Sequence, residues 1–378
     1  MTDPLAGLPP VARLMARLCE IPSPSRDERA VAGAVRAELA ELGCEVEEDD
    51  AASRLPAGCG NIVARFPATA ERGVPIMFGA HLDTVPSVGP IEVCAEDGVL
   101  RNRHPTILGS DDKSAVAVLL TAMRTVKEAG RPHAGVELVF TPCEEIGLRG
   151  AAAFDPQRLQ ARFGYVYDHI GPVGDIIAAA PSLRSLAATF YGQAAHAGIA
   201  PEEGRSALEA ASRAVTRMPL GRIDAETTAN VGVLRGGTAT NVVAERCELT
   251  AEVRSHEPAT LATQLTAMLD ALTWAASECE VDLETRVDNV FSGYRLTDRD
   301  PQVAMALQVL ATQGYAPRQV TTGGGSDVNA FIASGFPAVN LCNGMEAVHT
   351  PDERISVDSL ERMVRVTLGL IEAARDAA

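Results

Sequence analysis

Lysine is almost missing from this chain: of its 33 basic residues, only Lys113 and Lys127 are lysines. The basic residues are outnumbered by 50 acidic ones, for a formal net charge of −17. No arginine cluster forms the basic stripe that phosphate neutralisation requires, so nucleic acid is not an expected partner. Long apolar runs are also absent. None approaches the ~18 residues needed to span a bilayer, and MTDPLAGLPPVARL has no basic segment followed by an apolar one. CxxC pairs and disulfide-like spacings are lacking too, although cysteines stand at 19, 44, 59, 94, 143, 247, 279 and 342. They read as reduced, small apolar residues, mostly buried. From these absences the protein is expected in the cytoplasm, with no membrane partner.

What is there is core. Apolar residues make up 46% and charged ones 22%, which excludes general disorder. A length of 378 residues, set against ~150 per domain, suggests two domains. Ser25 and Glu28 have capping-box spacing before Val31, Val35, Leu39 and Leu42, with Gly43 closing that helix. VPIMFGA reads as a buried strand ending at His81, GVELVF as a second running into Glu144, and FGYVY as a third ending at Asp168. SAVAVLLTAMRTVKEAG reads as a buried helix stopped at Gly130. This alternation predicts an α/β domain with a mostly parallel sheet, whose strand ends gather ligand-binding groups. From Leu183 the order becomes β-α-β-β-α-β, that of a ferredoxin-like unit, before helix and strand alternation returns. The expected division is a catalytic domain at 1–182 and 295–378, with a lid and dimerisation domain at 183–294 inserted.

Five polar constellations fall at the predicted loops. GAHLDTVP sets His81 two residues from Asp83, and a metal-bound imidazole usually gives its second N–H to a carboxylate. ILGSDDKSA brings Asp111 and Asp112 to a helix start, where acids also serve as simple caps. TPCEEIG puts Glu144 and Glu145 after an apolar strand; one could ligate a metal while the other acts as general base. YVYDHIG contributes Asp168 and NGMEAVHTPDERI contributes His349. Two histidines and three carboxylates give two metals three protein ligands each if one acid bridges, the ligand set of a dizinc hydrolytic site.

In these segments, and in GQAAHAGIAPEEGRSAL, GGTATNVV and GGGSDVNAF, the chain resembles the peptidase T and aminoacylase family of dinuclear zinc hydrolases, most closely its peptidase T-like branch. The resemblance runs from His81 to the final helix. It implies one zinc on His81 and Asp168, the other on Glu145 and His349, and Asp111 bridging both; Co2+ or Mn2+ are conceivable substitutes. It implies that Asp83 orients His81, that Glu144 takes a proton from the water bridging the metals, and that Asp112 follows Asp111 across a cis peptide. It further implies that His196 serves the neighbouring subunit of a homodimer by stabilising the oxyanion. Asn241 and Arg254 resemble substrate-binding groups, Arg254 suiting a carboxylate. Gly323, Gly324 and Gly325 are expected to make a close backbone approach near the site.

The implied reaction is amide hydrolysis in short peptides, of tripeptidase or aminopeptidase type. The alternative is an N-acyl amino acid deacylase or carboxypeptidase of the same family. His169 departs from the family pattern and is expected to point outward. His104, His133 and His256 are expected at the surface. A nucleotide-dependent enzyme is disfavoured: GxxxxGK[ST] is absent, and the glycine runs are not expected to open a helix after a strand.

Overall fold

The computed structural model describes Leu5 and residues 7–377. The chain divides into two compact units: Met1–Ala178 with Arg295–Thr321 and Ser326–Ala378, and Ala179–Tyr294 with Thr322–Gly325.

The first unit is organised by a nine-stranded sheet. Four central strands are parallel, in the order Val136–Thr141, Ile76–His81, Phe163–Val166, Ala338–Leu341. Ile62–Phe66 and Glu45–Glu48 extend the sheet antiparallel on one side, and Asp175–Ala180 is antiparallel on the other. Every residue of the four parallel strands is buried, as a sheet covered on both faces requires. Phe78 joins the core cluster that includes the helices Pro10–Cys19, Ser110–Glu128 and Val357–Asp376. Gly79, next along the strand, faces the opposite way. A Cβ there would lie 3.2 Å from Val166 and 3.6 Å from Phe331 of the helix Asp327–Ala333. A small four-stranded sheet pairs Met345–Glu346, Arg354–Ser356, Val99–Asn102 and Val93–Glu96; the sequence reading missed it because its strands have two to four residues.

The second unit runs Ser182–Tyr191, helix Ala207–Arg217, Thr227–Gly236, Arg246–Ser255, helix Pro258–Glu278, Asp282–Phe291. Its sheet is antiparallel throughout and includes the short strand Gly221–Arg222. Leu186, Ala188 and Phe190 alternate onto one face and join Ala210, Ala214, Met268 and Leu272 in a separate core. The Arg217 guanidinium lies over the ring of Trp274, 4.4 Å from its centre.

The boundaries differ from those expected. The division falls after Ala178 rather than after residue 182, and Thr322–Gly325 belongs with the inserted unit. Hydrogen bonds explain this. Thr322 N–H donates to the Ala179 carbonyl at 3.0 Å, His256 Nε2 lies 2.9 Å from the Thr322 carbonyl, and Arg254 Nη1 donates to the Gly323 carbonyl at 3.2 Å. His256 therefore has a structural partner, and His133 is buried, its Nδ1 accepting Gly135 N–H at 3.3 Å. All eight cysteines are free, with Cys19, Cys59, Cys143, Cys247 and Cys342 buried. Among the described residues no helix is long and apolar enough to cross a membrane.

Candidate metal centre

Three neighbouring parallel strands end on one edge of the sheet, and each delivers a polar residue there. His81 is the last residue of its strand, Glu144 and Glu145 follow Thr141, and Asp168 follows Val166. Asp111 arrives from the first turn of the helix Ser110–Glu128, where it and Asp112 depart from helical φ/ψ. His349 comes from the loop between two strands of the small sheet, with φ +64°.

These side chains converge on Asp111. Its Oδ1 lies 3.1 Å from His81 Nε2, and its Oδ2 lies 3.2 Å from His349 Nε2. Asp168 Oδ1 is 3.8 Å from His81 Nε2, and Glu145 Oε1 is 3.0 Å from His349 Nε2. Two groups result, His81–Asp111–Asp168 and Asp111–Glu145–His349, each with one ligand atom per residue within 4.8 Å of the others. Imidazole nitrogens and carboxylate oxygens in threes are a donor set suited to zinc. The second group is the more open, the His349 side chain being 47% exposed.

The charges are interdependent. Burial alone would raise Asp111, but hydrogen bonds from His349 and His81 hold it well below the usual carboxylate range. Burial opposes a charge on His81, yet its bond to Asp111 and the carboxylates of Glu144 and Asp168 hold it well above an ordinary imidazole. His349 is raised to about 10 by its bonds to Asp111 and Glu145. Glu144 is buried, and that burial, with the charges of Asp327 and Glu145, pushes its carboxyl well up against the pull of His81. Raising the proton affinity of the carboxyl is the direction a general base requires.

Asp83 acts differently from expectation. His81 Nδ1 lies 2.9 Å from the Asp83 backbone carbonyl, while the Asp83 Oδ1 is 3.7 Å away. The carbonyl is the closer partner that orients the ring. The carboxylate instead accepts Glu144 N–H at 2.9 Å, Glu145 N–H at 3.2 Å and Ser25 Oγ–H at 2.7 Å. The capping-box reading is also overturned. The helix is Arg29–Leu42, and neither Ser25 nor Glu28 caps it through a side chain. Glu28 is buried and accepts the N–H groups of Arg26 at 2.7 Å, Gly58 at 2.7 Å and Cys143 at 3.1 Å. Both residues therefore brace the loop of Glu144. Gly43 does close that helix, with φ +68°.

Three further residues escaped the sequence reading. Asn340 accepts Asp168 N–H at 2.9 Å and donates to its carbonyl at 2.7 Å. Asp327 Oδ2 accepts the Thr141 hydroxyl while its Oδ1 is buried without a hydrogen-bond partner among the described residues, and burial pushes its carboxyl up to about 6. Glu353 holds the loop before Asp111. The Asp111–Asp112 peptide is cis. Both Asp112 oxygens are buried without a hydrogen-bond partner among the described residues, and burial raises that carboxyl well above its ordinary value. His169 belongs to neither ligand group; its Nδ1 faces the Ile170 carbonyl at 2.6 Å and the Cys342 thiol at 3.5 Å.

The remaining named residues lie in the inserted unit. His196 and Asn241 come together: His196 bridges to Val242, and Ala197 N–H donates to the Asn241 carbonyl at 2.9 Å. Both are exposed. The Arg254 fork is already filled, Nε and Nη2 donating to Glu252 at 2.9 and 3.1 Å. In the glycine run only Gly325 makes a tight approach, its Cβ position being occupied by the Phe291 ring, whereas a Cβ on Gly324 would meet only Thr322 at 3.6 Å and one on Gly323 nothing. That run does stand between a strand, Arg318–Thr321, and a helix, Asp327–Ala333, contrary to expectation. The helix has seven residues, and its first turn is closed by a Ser326–Asn329 capping box.

The sequence pattern of peptidase family M20/M25/M40 matches residues 77–373. A Bacillus subtilis protein, YqjE, described as uncharacterised, is 36% identical over 357 residues, covering 94% of this chain and 96% of its own. Among solved structures, the aminopeptidase PepT from Bacillus cereus is 36% identical with a TM-score of 0.85, covering 97% of this chain and 98% of its own. A tripeptidase from Staphylococcus aureus is 33% identical with a TM-score of 0.90, again covering 97% and 98%.

Proposed function

The chain belongs to peptidase family M20/M25/M40 as a peptidase T-like protein, and from that premise we propose that it hydrolyses an amide bond in short peptides with two zinc ions, in the manner of a tripeptidase or aminopeptidase. The observation that carries the proposal is the pair of three-residue ligand groups sharing Asp111, with buried Glu144 beside them. His81, Asp111 and Asp168 would hold one ion, and Asp111, Glu145 and His349 the other. Cobalt or manganese fits the same nitrogen and oxygen donors. Bound there, zinc supplies Lewis acidity towards the scissile carbonyl and lowers the pKa of water from about 15.7 to about 7.

The chain's own groups do the rest. Glu144 takes the proton of the attacking water and returns it to the leaving amine. Asp83 holds the backbone on which Glu144 and Glu145 stand. His196 of the partner subunit stabilises the oxyanion in a homodimer, and Asn241, Arg254 and Gly324 contact substrate. The alternative, a deacylase or carboxypeptidase of the same family, would use the same metal centre and differ in the substrate it accepts. The matched structures, by contrast, are an aminopeptidase and a tripeptidase.

A panel of di- and tripeptides set against N-acyl amino acids, with zinc or cobalt added, tests this. Release of the N-terminal residue from peptides is the expected result. Faster turnover of N-acyl amino acids, or of peptides from the carboxyl end, would replace the assignment.

A further inference from the structure

We propose that Glu353 is a positioning residue that ties the two halves of the metal centre together, setting Asp111 and His349 in register. It builds on the two-metal reading above. Glu353 is 2% exposed. Its Oε2 accepts Leu108 N–H at 2.8 Å and Gly109 N–H at 3.0 Å. Its Oε1 accepts Ser110 N–H at 2.7 Å, Ser110 Oγ–H at 2.7 Å and Asp111 N–H at 3.1 Å. One carboxylate thus gathers the N–H groups of four successive residues that end at the shared ligand. Helix starts leave such donors without intrahelical acceptors, and a negative charge there is favoured. Bonds to an ionised acceptor are also roughly twice as strong as neutral ones.

The other end of the tie is covalent. Glu353 lies four residues after His349, and its own N–H donates to the Thr350 carbonyl at 3.2 Å. The turn between them is held by its own bonds, Thr350 Oγ–H to Ala347 at 2.7 Å and Asp352 N–H to Thr350 Oγ at 3.2 Å, and these residues are exposed or half-exposed. Glu353 is the buried anchor of that turn. His81 ends its strand and is held by the Asp83 carbonyl, and Asp168 is bracketed by Asn340, so both have anchors apart from Glu353. Asp111 belongs to both groups and His349 to one, so loosening Glu353 acts on both metals and more strongly on the one held with His349.

Glu353→Gln puts an amide NH2 where one oxygen now meets two or three donors, leaving those donors facing another donor. Residues that orient metal ligands typically change metal affinity by about 10- to 100-fold. The experiment titrates zinc-loaded protein with a competing chromophoric chelator, with elemental analysis at each stage. Wild type should release two equivalents of metal. In Glu353→Gln one equivalent should leave at least about tenfold more readily while the other is weakened distinctly less. Ser110→Ala, which removes one of the five donors and keeps the carboxylate, should shift the same equivalent by less and serves if Glu353→Gln does not fold.

A general loss of stability would weaken both equivalents alike, and that result, or unchanged affinities in the folded variants, overturns the proposal. Fewer than two equivalents in wild type would remove the two-metal reading itself and this proposal with it. The two failures are separated by which protein shows the defect.

Discussion

Asp83 Oδ1 accepts the backbone N–H of Glu144 at 2.9 Å, so the residue that follows one strand end sets the position of the acid that follows its neighbour. The same carboxylate holds Glu145 N–H through Oδ2. Asp83→Asn turns one of these oxygens into a donor aimed at another donor. We expect the variant to keep His81 oriented, because the ring is held by the Asp83 carbonyl. Its kcat should fall by about 10- to 100-fold, with metal content at His81 retained. Unchanged kcat with the variant fully folded would show that the loop is placed by other contacts.

Glu144→Ala should retain both metals and lose catalysis by about 10²–10⁴, the usual contribution of general acid–base help. Glu145→Ala should in addition weaken the metal held with His349. Activity of Glu144→Ala within about tenfold of wild type would place the base elsewhere.

Metal uptake should release protons and tighten as pH rises. The His349 imidazole has its pKa raised to about 10 by Asp111 and Glu145, so at neutral pH it carries a proton that a metal must displace. Below that value, each step down in pH adds competition from the proton, and affinity falls. Calorimetric titration in two buffers of different ionisation enthalpy reads the number released. No release at pH 7 would mean that the metal binds away from His349.

A homodimer with His196 acting across the subunits should show complementation. Glu144→Ala and His196→Ala should each be nearly inactive alone. Mixed one to one with random pairing, half the dimers are hetero-dimers, and each carries one site with both residues intact. Activity should return to about a quarter of wild type, from ½ × ½, within the scale of general acid–base effects. No recovery, with mixed dimers isolated through two different tags, would remove His196 from its role in trans.

The sheet was legible because His81, Glu144 and Asp168 each stand where an apolar run breaks into polar residues, and that break is a local signal. The inserted unit was legible for the same reason, its helices and strands having lengths that periodicity can register. The braces were not. Glu353 lies 245 residues from Leu108, and no local pattern reports such a pairing. Glu28 was misread because a local role, the capping box with Ser25, was available and sufficient, although both side chains reach across to the Asp83 and Cys143 loops. The three adjacent glycines are alike in sequence, but only a Cβ on Gly325 would meet Phe291, which comes from a distant strand.

Trp274 is the chain's only tryptophan, and it lies in the inserted unit beneath Arg217. Intrinsic emission excited at the indole band therefore comes from that unit alone, and the larger unit is dark in this channel. Unfolding followed by emission and by far-ultraviolet circular dichroism thus observes different parts of one molecule. If the two curves separate, the midpoint of the emission curve belongs to the inserted unit, and the remainder of the dichroism change belongs to the unit that carries the metal ligands.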